Sequence, residues 1–298
     1  MSIEVNKAFV QQFSDNIIML AQQDGSRLIG AVTVKPITGK YAHFDRLGAV
    51  VARQKTSRHS DVVYSDHPHS RRRVSINDFY AADLVDQEDD IRMLIDVRSP
   101  YARSISMALG RQIDDLIIDA ALGNAASIDA DDASSNVALP STQIVDEDFG
   151  TANSNLTIAK LIEAKRLIDR NDVDDREARV MVVNASALAA LLNTTQVTSS
   201  DFNTVKALVR GEIDTYLGFR FIRSERLDGV ADGTDTSPVK CIAFVQSGIG
   251  YAMGRDIQVK MAELPEKHFA TQVYATMTGG AVRIEEEKVV QVEVVQAS

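Results

Sequence analysis

The stretch SPYARSISMALGRQIDDLIIDAALG, Ser99 to Gly123, constrains the fold more than any other part of the sequence. Tyr101, Ile105, Leu109, Ile113, Leu116, Ile117 and Ala120 recur at helical spacing and make one apolar stripe. Ser99 suits the N-cap, Pro100 the first turn, and Gly123 the position just past the end. The spacing predicts a helix on the order of 30 Å long, at about 1.5 Å per residue. Long helices of this kind argue against a β-dominated tube.

The rest of the chain supplies both element types, which predicts an α+β fold. Val5, Phe9, Phe13, Ile17 and Leu20 lie at spacings of four and three, as on one face of a helix ended by Asp24-Gly25. NLTIAKLIEAKRLIDRNDV predicts a second long helix, capped by Asn155, with Ile158, Leu161, Ile162 and Ile168 on one face. ARVMVVN lacks alternation and predicts a strand buried on both faces; a helix is expected from Ser186 to Leu192. In VKALVRGEIDTYLGFRFIRSERL, the residues Val205, Leu208, Val209, Ile213, Tyr216 and Leu217 share a helical face. Gly218 ends that expected helix, and Phe219 and Phe221 begin a half-buried strand. CIAFVQ reads as a further buried strand. The tail alternates from Phe269 to Met277, is expected to turn at Gly279-Gly280, and returns through VRIEEEKVVQVEVV. Glu285, Glu286 and Glu287 mark a break or exposed bulge.

Two regions read as excursions from the body. From Gly39 to about Ser75 the runs GAVVARQ and DVVY are weak strands around a polar, basic piece, RQKTSRHSD, which predicts a long two-stranded loop. Residues 124–153 are small and polar, with Asp129, Asp131 and Asp132, and predict a surface loop or partly mobile insertion.

Composition excludes several classes. No stretch approaches the roughly 20 apolar residues of a membrane helix, and MSIEVNKAFVQQF has no basic-then-apolar signal pattern. One cysteine cannot staple the chain to itself, which suits a reducing cytoplasm. Cys241, inside CIAFV, reads as a small buried hydrophobe. A net charge of −10 disfavours tight phosphate binding but not the enclosure of nucleic acid without gripping it.

Catalytic chemistry is sparse. GIGYAMG, Gly248 to Gly254, is one residue too long for the common dinucleotide fingerprint, and the alternating DIQVKM predicts a strand where phosphate binding needs a helix. The expected structure there is a flexible turn between strands. His59, His67 and His69 with Asp61 and Asp66 offer metal-ligand types, but no helical pair or cysteine fixes their geometry. The default is a solvated loop. G-x-S-x-G and H-E-x-x-H are absent. The reading is a non-enzyme with no cofactor and no metal.

Charge placement is the sharper signal. Arg53, Lys55, Arg58, Arg71, Arg72 and Arg73 are opposed within their stretch only by Asp61 and Asp66. An acidic stretch follows, holding Asp78, Asp83, Asp86, Glu88, Asp89 and Asp90. Two solvated faces would explain this. The alternative is that the basic excursion of one subunit lies over the acidic patch of the next, Asp86, Glu88, Asp89 and Asp90, in a head-to-tail contact that closes rings. Reversing Arg71, Arg72 and Arg73 is then expected to disrupt assembly and leave the chain folded.

Three stretches, in this order, resemble the major capsid proteins of tailed bacteriophages with the Hong Kong 97-type fold. They are VDQEDDIRMLIDVRSPYARSISMALGRQIDDLIIDAALG, the helix-glycine-strand unit at Val205 to Leu227, and AFVQSGIGYAMGRDIQVK with its β tail. The resemblance implies an N-terminal arm (1–38), an extended loop (39–80), a peripheral domain with a long spine helix (81–177 and 255–298) and an axial domain (178–254). It implies self-assembly through hexamers and pentamers into an icosahedral shell around double-stranded DNA, held without sequence-specific binding or a membrane. Assembly would occur in the host cytoplasm, with scaffolding, portal and decoration proteins as further partners. A start so close to the arm suggests separate scaffolding or prior trimming. The alternatives are an encapsulin-type compartment shell and a metal-dependent enzyme using the histidine loop.

Overall fold

The computed structural model describes residues 22–55, 57–58, 61–62, 64–85, 98–128, 134–151, 153–192, 215–227 and 238–295. The expected helices at 5–21 and 205–214 and the acidic patch Asp86, Glu88, Asp89 and Asp90 lie outside these residues. Contacts divide the chain into two compact units, one of residues 1–26, 78–112 and 255–278, the other of residues 27–77, 113–254 and 279–298.

The larger unit is built on a six-stranded sheet. Its strands are β7 (Ile144–Val145), β8 (Arg179–Val183), β9 (Thr215–Tyr216), β10 (Phe219–Arg223), β11 (Val239–Val245) and β14 (Val289–Val294), in the order β7-β14-β11-β8-β10-β9. All five residues of β8 are buried, as its unbroken apolar run requires. β11 runs antiparallel to both β8 and β14, with Phe244 opposite Val180 and Val289. The helix α2 (Ile158–Arg170) buries Leu161, Ala164, Leu167 and Ile168. Its cap is Thr157, whose hydroxyl accepts the Lys160 N–H, rather than Asn155. Ile162, expected on the buried face, is exposed; Lys160 is buried in its place. Its ammonium donates to the carbonyls of Ser154 (2.7 Å) and Glu293 (3.0 Å), and burial lowers its pKa. A third helix, α3, spans Ala185–Leu192.

A second, four-stranded sheet in this unit has the order β2-β3-β5-β6, from β2 (Tyr41–Leu47), β3 (His69–Ser75), β5 (Ala125–Ile128) and β6 (Ser134–Val137). Two expectations change here. GAVVARQ and the described residues of DVVY are not strands; the excursion's strands are the alternating segments on either side, whose buried residues Ala42, Phe44 and Val74 join a small core. The insertion is no plain loop, since β5 and β6 pair as a hairpin and β5 joins β3.

The long helix is present as α1 (Arg98–Leu122), which starts one residue before the expected cap and stops where Gly123 N–H bonds the Asp119 carbonyl. Leu109, Ile113 and Ile117 are buried as the stripe requires, and Met107, Ile118 and Ala121 widen it. In the larger unit β1 (Thr33–Pro36) runs parallel to the start of β12 (Ile249–Leu264). In the smaller unit the rest of β12, β13 (Ala270–Arg283) as far as Thr278, and β4 (Asn77–Val85) from Asp78 follow the order β12-β13-β4. Alternation along β13 buries Val273, Ala275 and Met277, and Tyr80 stacks on Tyr274 at 6.0 Å.

Two further expectations fail for physical reasons. Tyr216 and Leu217 do not extend a helix; Leu217 (φ 52°) and Gly218 (φ 87°) form the tight turn joining β9 to β10, a conformation suited to two-residue hairpins. Gly279-Gly280 is not a turn but lies inside β13, where neighbours come too close for a side chain. A Cβ on Gly280 would sit 2.3 Å from the Ser75 carbonyl oxygen, and one on Gly279 2.3 Å from the Tyr251 hydroxyl.

Candidate functional site

The excursion is the feature that sequence and structure single out together. β2 and β3 pair antiparallel from Tyr41 opposite Ser75 to Leu47 opposite His69. The chain between them is closed at its base by Gly48 N–H bonding the Pro68 carbonyl at 2.9 Å. Beyond that base lie Arg53, Lys55 and Arg58, all exposed, and the apolar Val51, Val62 and Tyr64, each more than 70% exposed. Long basic side chains therefore stand beside exposed apolar groups at this end of the excursion.

Strand alternation divides the arginine run. Arg71 is exposed and pairs with equally exposed Asp45 at 2.7 Å, a contact worth little in water. Arg73 lies 5.2 Å from the centre of the Tyr41 ring. Arg72 points the other way and is buried. It donates to Glu286 at 2.5 Å and to the Ile284 carbonyl at 3.4 Å. Glu286 also receives Arg46 at 3.5 Å and has Arg283 at 3.7 Å. Arg283, fully buried, donates to the carbonyls of Ala121 (2.8 Å), Gly123 (2.8 Å) and Val137 (2.9 Å). Burial pulls its pKa below the ordinary value; Glu286 opposes that shift and Arg72 adds to it.

Arg72 therefore serves the interior of its own chain. Reversing it would place two carboxylates together in a buried joint, so the triple reversal at Arg71, Arg72 and Arg73 is expected to disturb the fold as well as any assembly. Sequence reading placed Glu286 in a break or exposed bulge; the break is present, between β13 and β14, but Glu286 is mostly buried within it, and its partners Arg46 and Arg283 were missed. The signal was present in part, because Arg283 keeps the buried parity of Val273 and Met277 along β13.

The catalytic alternatives find no geometry. His67, His69, Asp61 and Asp66 are all exposed, and His59 lies outside the described residues. Among the described residues no group of three or more His, Cys, Asp or Glu is placed to hold a metal. GIGYAMG is neither a phosphate turn nor a flexible one. A short 3-10 turn ends at Gly248 and β12 begins at Ile249, buried through Ala252. A Cβ on Gly250 would lie 2.6 Å from the Phe44 ring, so packing accounts for that glycine. Cys241 is fully buried, and burial pushes its thiol up to about 12, which leaves it inert as a nucleophile. A cavity of about 330 Å³ is lined by Val137, Thr142, Gln143, Leu167, Asn171, Glu286 and others, with no Ser, Cys or His among its lining residues.

A family model described as phage capsid protein matches residues 5–296. No curated protein sequence matches the chain. Among solved structures, the capsid of cyanophage P-SCSP1u superposes with a TM-score of 0.74 at 18% identity, over 98% of this chain and 95% of that one. The cyanophage Pam1 capsid asymmetric unit gives 0.71 at 14%, covering 98% of each chain. The head of Helicobacter pylori bacteriophage KHP40 gives 0.71 at 9%, over 100% of this chain and 99% of that one. At such identities the likeness is one of fold, extending over the whole chain.

Proposed function

The chain belongs to the phage capsid protein family, and from that premise we propose how it builds its shell. It is a major capsid protein with the Hong Kong 97-type fold, a structural component of the virion rather than an enzyme, and it self-assembles into the capsid. The encapsulin and metal-enzyme alternatives are not favoured.

In our reading the shell is icosahedral, belongs to a tailed phage, is assembled from hexamers and pentamers in the host cytoplasm, and encloses double-stranded DNA. An acidic chain suits a container through which the genome slides during loading. Scaffolding, portal and decoration proteins are the proposed further partners. Residues 1–38 act as the arm, 39–80 as the extended loop, 81–177 with 255–298 as the peripheral domain, and 178–254 as the axial domain. The proposed axial strands share their sheet with β14, so this division runs along a sheet and not through a linker.

The observation that carries the reading is the excursion, which holds Arg53, Lys55 and Arg58 in solvent beyond a closed base. We assign these residues, with Arg71 and Arg73, to a contact with Asp86, Glu88, Asp89 and Asp90 of the adjacent subunit; Arg72 supports it from within. Light scattering and negative-stain electron microscopy of the purified chain test the proposal. Closed shells, or pentamers and hexamers that close on concentration, are expected. A stable monomer or dimer, even with the phage's scaffolding protein supplied, would overturn it.

A further inference from the structure

We propose that Glu286 is a positioning residue for the excursion: one carboxylate that holds shut a joint otherwise loaded with like charge. The excursion brings two cations to this joint, Arg46 from β2 and Arg72 from β3. The body brings Arg283, from the end of β13, and Glu286 itself. Three guanidiniums thus lie within 3.7 Å of one carboxylate. Side-chain exposure is 4% at Arg72, 0% at Arg283 and 12% at Glu286, so solvent screens these three little; Arg46, at 25%, is screened more.

The cations are not equally placed. Arg283 is fixed by three backbone carbonyls and cannot swing away. Arg72 has one carbonyl at 3.4 Å, and its Nη1 is buried with no hydrogen-bond partner among the described residues. Arg72 therefore depends on Glu286, whereas Glu286 has Arg46 and Arg283 as well. If the carboxylate is neutralised, two cations of the excursion face one cation of the body. The apolar contact beside the joint is small; Ala42, Phe44, Val74, Ala125, Ala252 and Val282 form it, with Ile37 and Ile284 packed against it. Beyond it, β3 is held by its ladder to β5 at Arg71–Arg73, so the repulsion loosens β2 and β3 at the turn at Glu286–Lys288 without detaching them from the sheet.

The test is amide exchange, read by mass spectrometry on the unassembled full chain carrying Glu286→Gln. Exchange across 41–47 and 69–75 is expected to quicken about tenfold or more, with β8 and β11 unchanged. A second variant separates loaded charge from ordinary packing. Arg72→Met with Glu286→Gln removes a cation together with the carboxylate, and is expected to recover protection relative to Glu286→Gln alone. A merely structural ion pair would make the double variant as open as the single one, or more so. That result overturns the proposal, as does unchanged exchange in Glu286→Gln or equal loss across β8 and β11. If Glu286→Gln does not fold, folding of the double variant supports the proposal and its failure overturns it. The consequence for subunit contact rests on the capsid reading, whereas the exchange experiment does not.

Discussion

The six-stranded sheet and the excursion sheet use the same strand geometry and are held by opposite means. β8 is buried at every residue and β11 at all but Lys240, so apolar contact fixes both faces and a slip in register would expose core at once. β2 and β3 are buried on one face only, and that face ends in Arg46 and Arg72 gathered by Glu286. The difference teaches where this chain is adjustable. Apolar packing on two faces specifies one arrangement. A one-faced strand pair over a small core takes its attitude from a few charged contacts, as suits an extended loop proposed to reach another copy.

The comparison breaks most visibly if equal cavities behave alike. Phe244→Ala empties a fully buried site on β11 and is expected to cost about 3–5 kcal/mol, seen as a lower denaturant midpoint for the whole chain. Phe44→Ala removes the same ring from the excursion core, and its loss of exchange protection is expected to stay within β2 and β3. Should Phe44→Ala lower the global midpoint as far, the two sheets form one cooperative unit and the contrast fails.

How much of this was legible depended on whether a residue answered to its own segment or to a distant one. α1 and β8 declared themselves because local periodicity and burial agree. Thr157 displaced Asn155 as the cap by two residues, within the usual blur of helix ends. Gly279 and Gly280 misled because glycine signals a turn locally, whereas here it admits Ser75 and Tyr251 from remote segments. Glu286 was hidden for the same reason. Its run of three glutamates looks solvated, and only folding brings β2 and β3 onto the middle one. The basic run looked uniform, but alternation sends Arg72 inward and leaves Arg71 exposed.

A smaller effect sharpens the contrast from the buried side. Cys241 ionises at 9.0 ordinarily and at about 12 in the folded chain, because burial disfavours the thiolate. Between those values the folded state keeps a proton that the unfolded state has lost, so stability falls as pH rises through the window. Cys241→Ala removes that dependence. Relative to the variant, the wild type is expected to lose about 1.6 kcal/mol between pH 9 and 10.5, by urea denaturation at each pH. Lys160, whose lowered pKa acts in the opposite sense, interacts with the Cys241 thiolate, so the difference between the two chains reads the pair and not the thiol alone. Parallel curves would mean that the thiol is less enclosed than its neighbours on β11.

The smallest effect on stability belongs to the exposed end of the excursion, where the effect on assembly should be greatest. Arg53, Lys55 and Arg58 are solvent-exposed, and none forms an ion pair among the described residues. Reversing all three to glutamate should move the unfolding free energy by no more than about 0.5 kcal/mol. If these cations meet an acidic patch on the next subunit, the same change sets like charge against like charge at that contact. Assembly followed by light scattering should then slow or stop, and the salt dependence of the wild-type rate should be lost with it. Unlike reversal at Arg72, this substitution leaves the Glu286 joint untouched, so a failure to assemble is not a failure to fold. Shells forming at the wild-type rate would remove the charged end from the subunit contact and leave Val51, Val62 and Tyr64 as the surface to alter next.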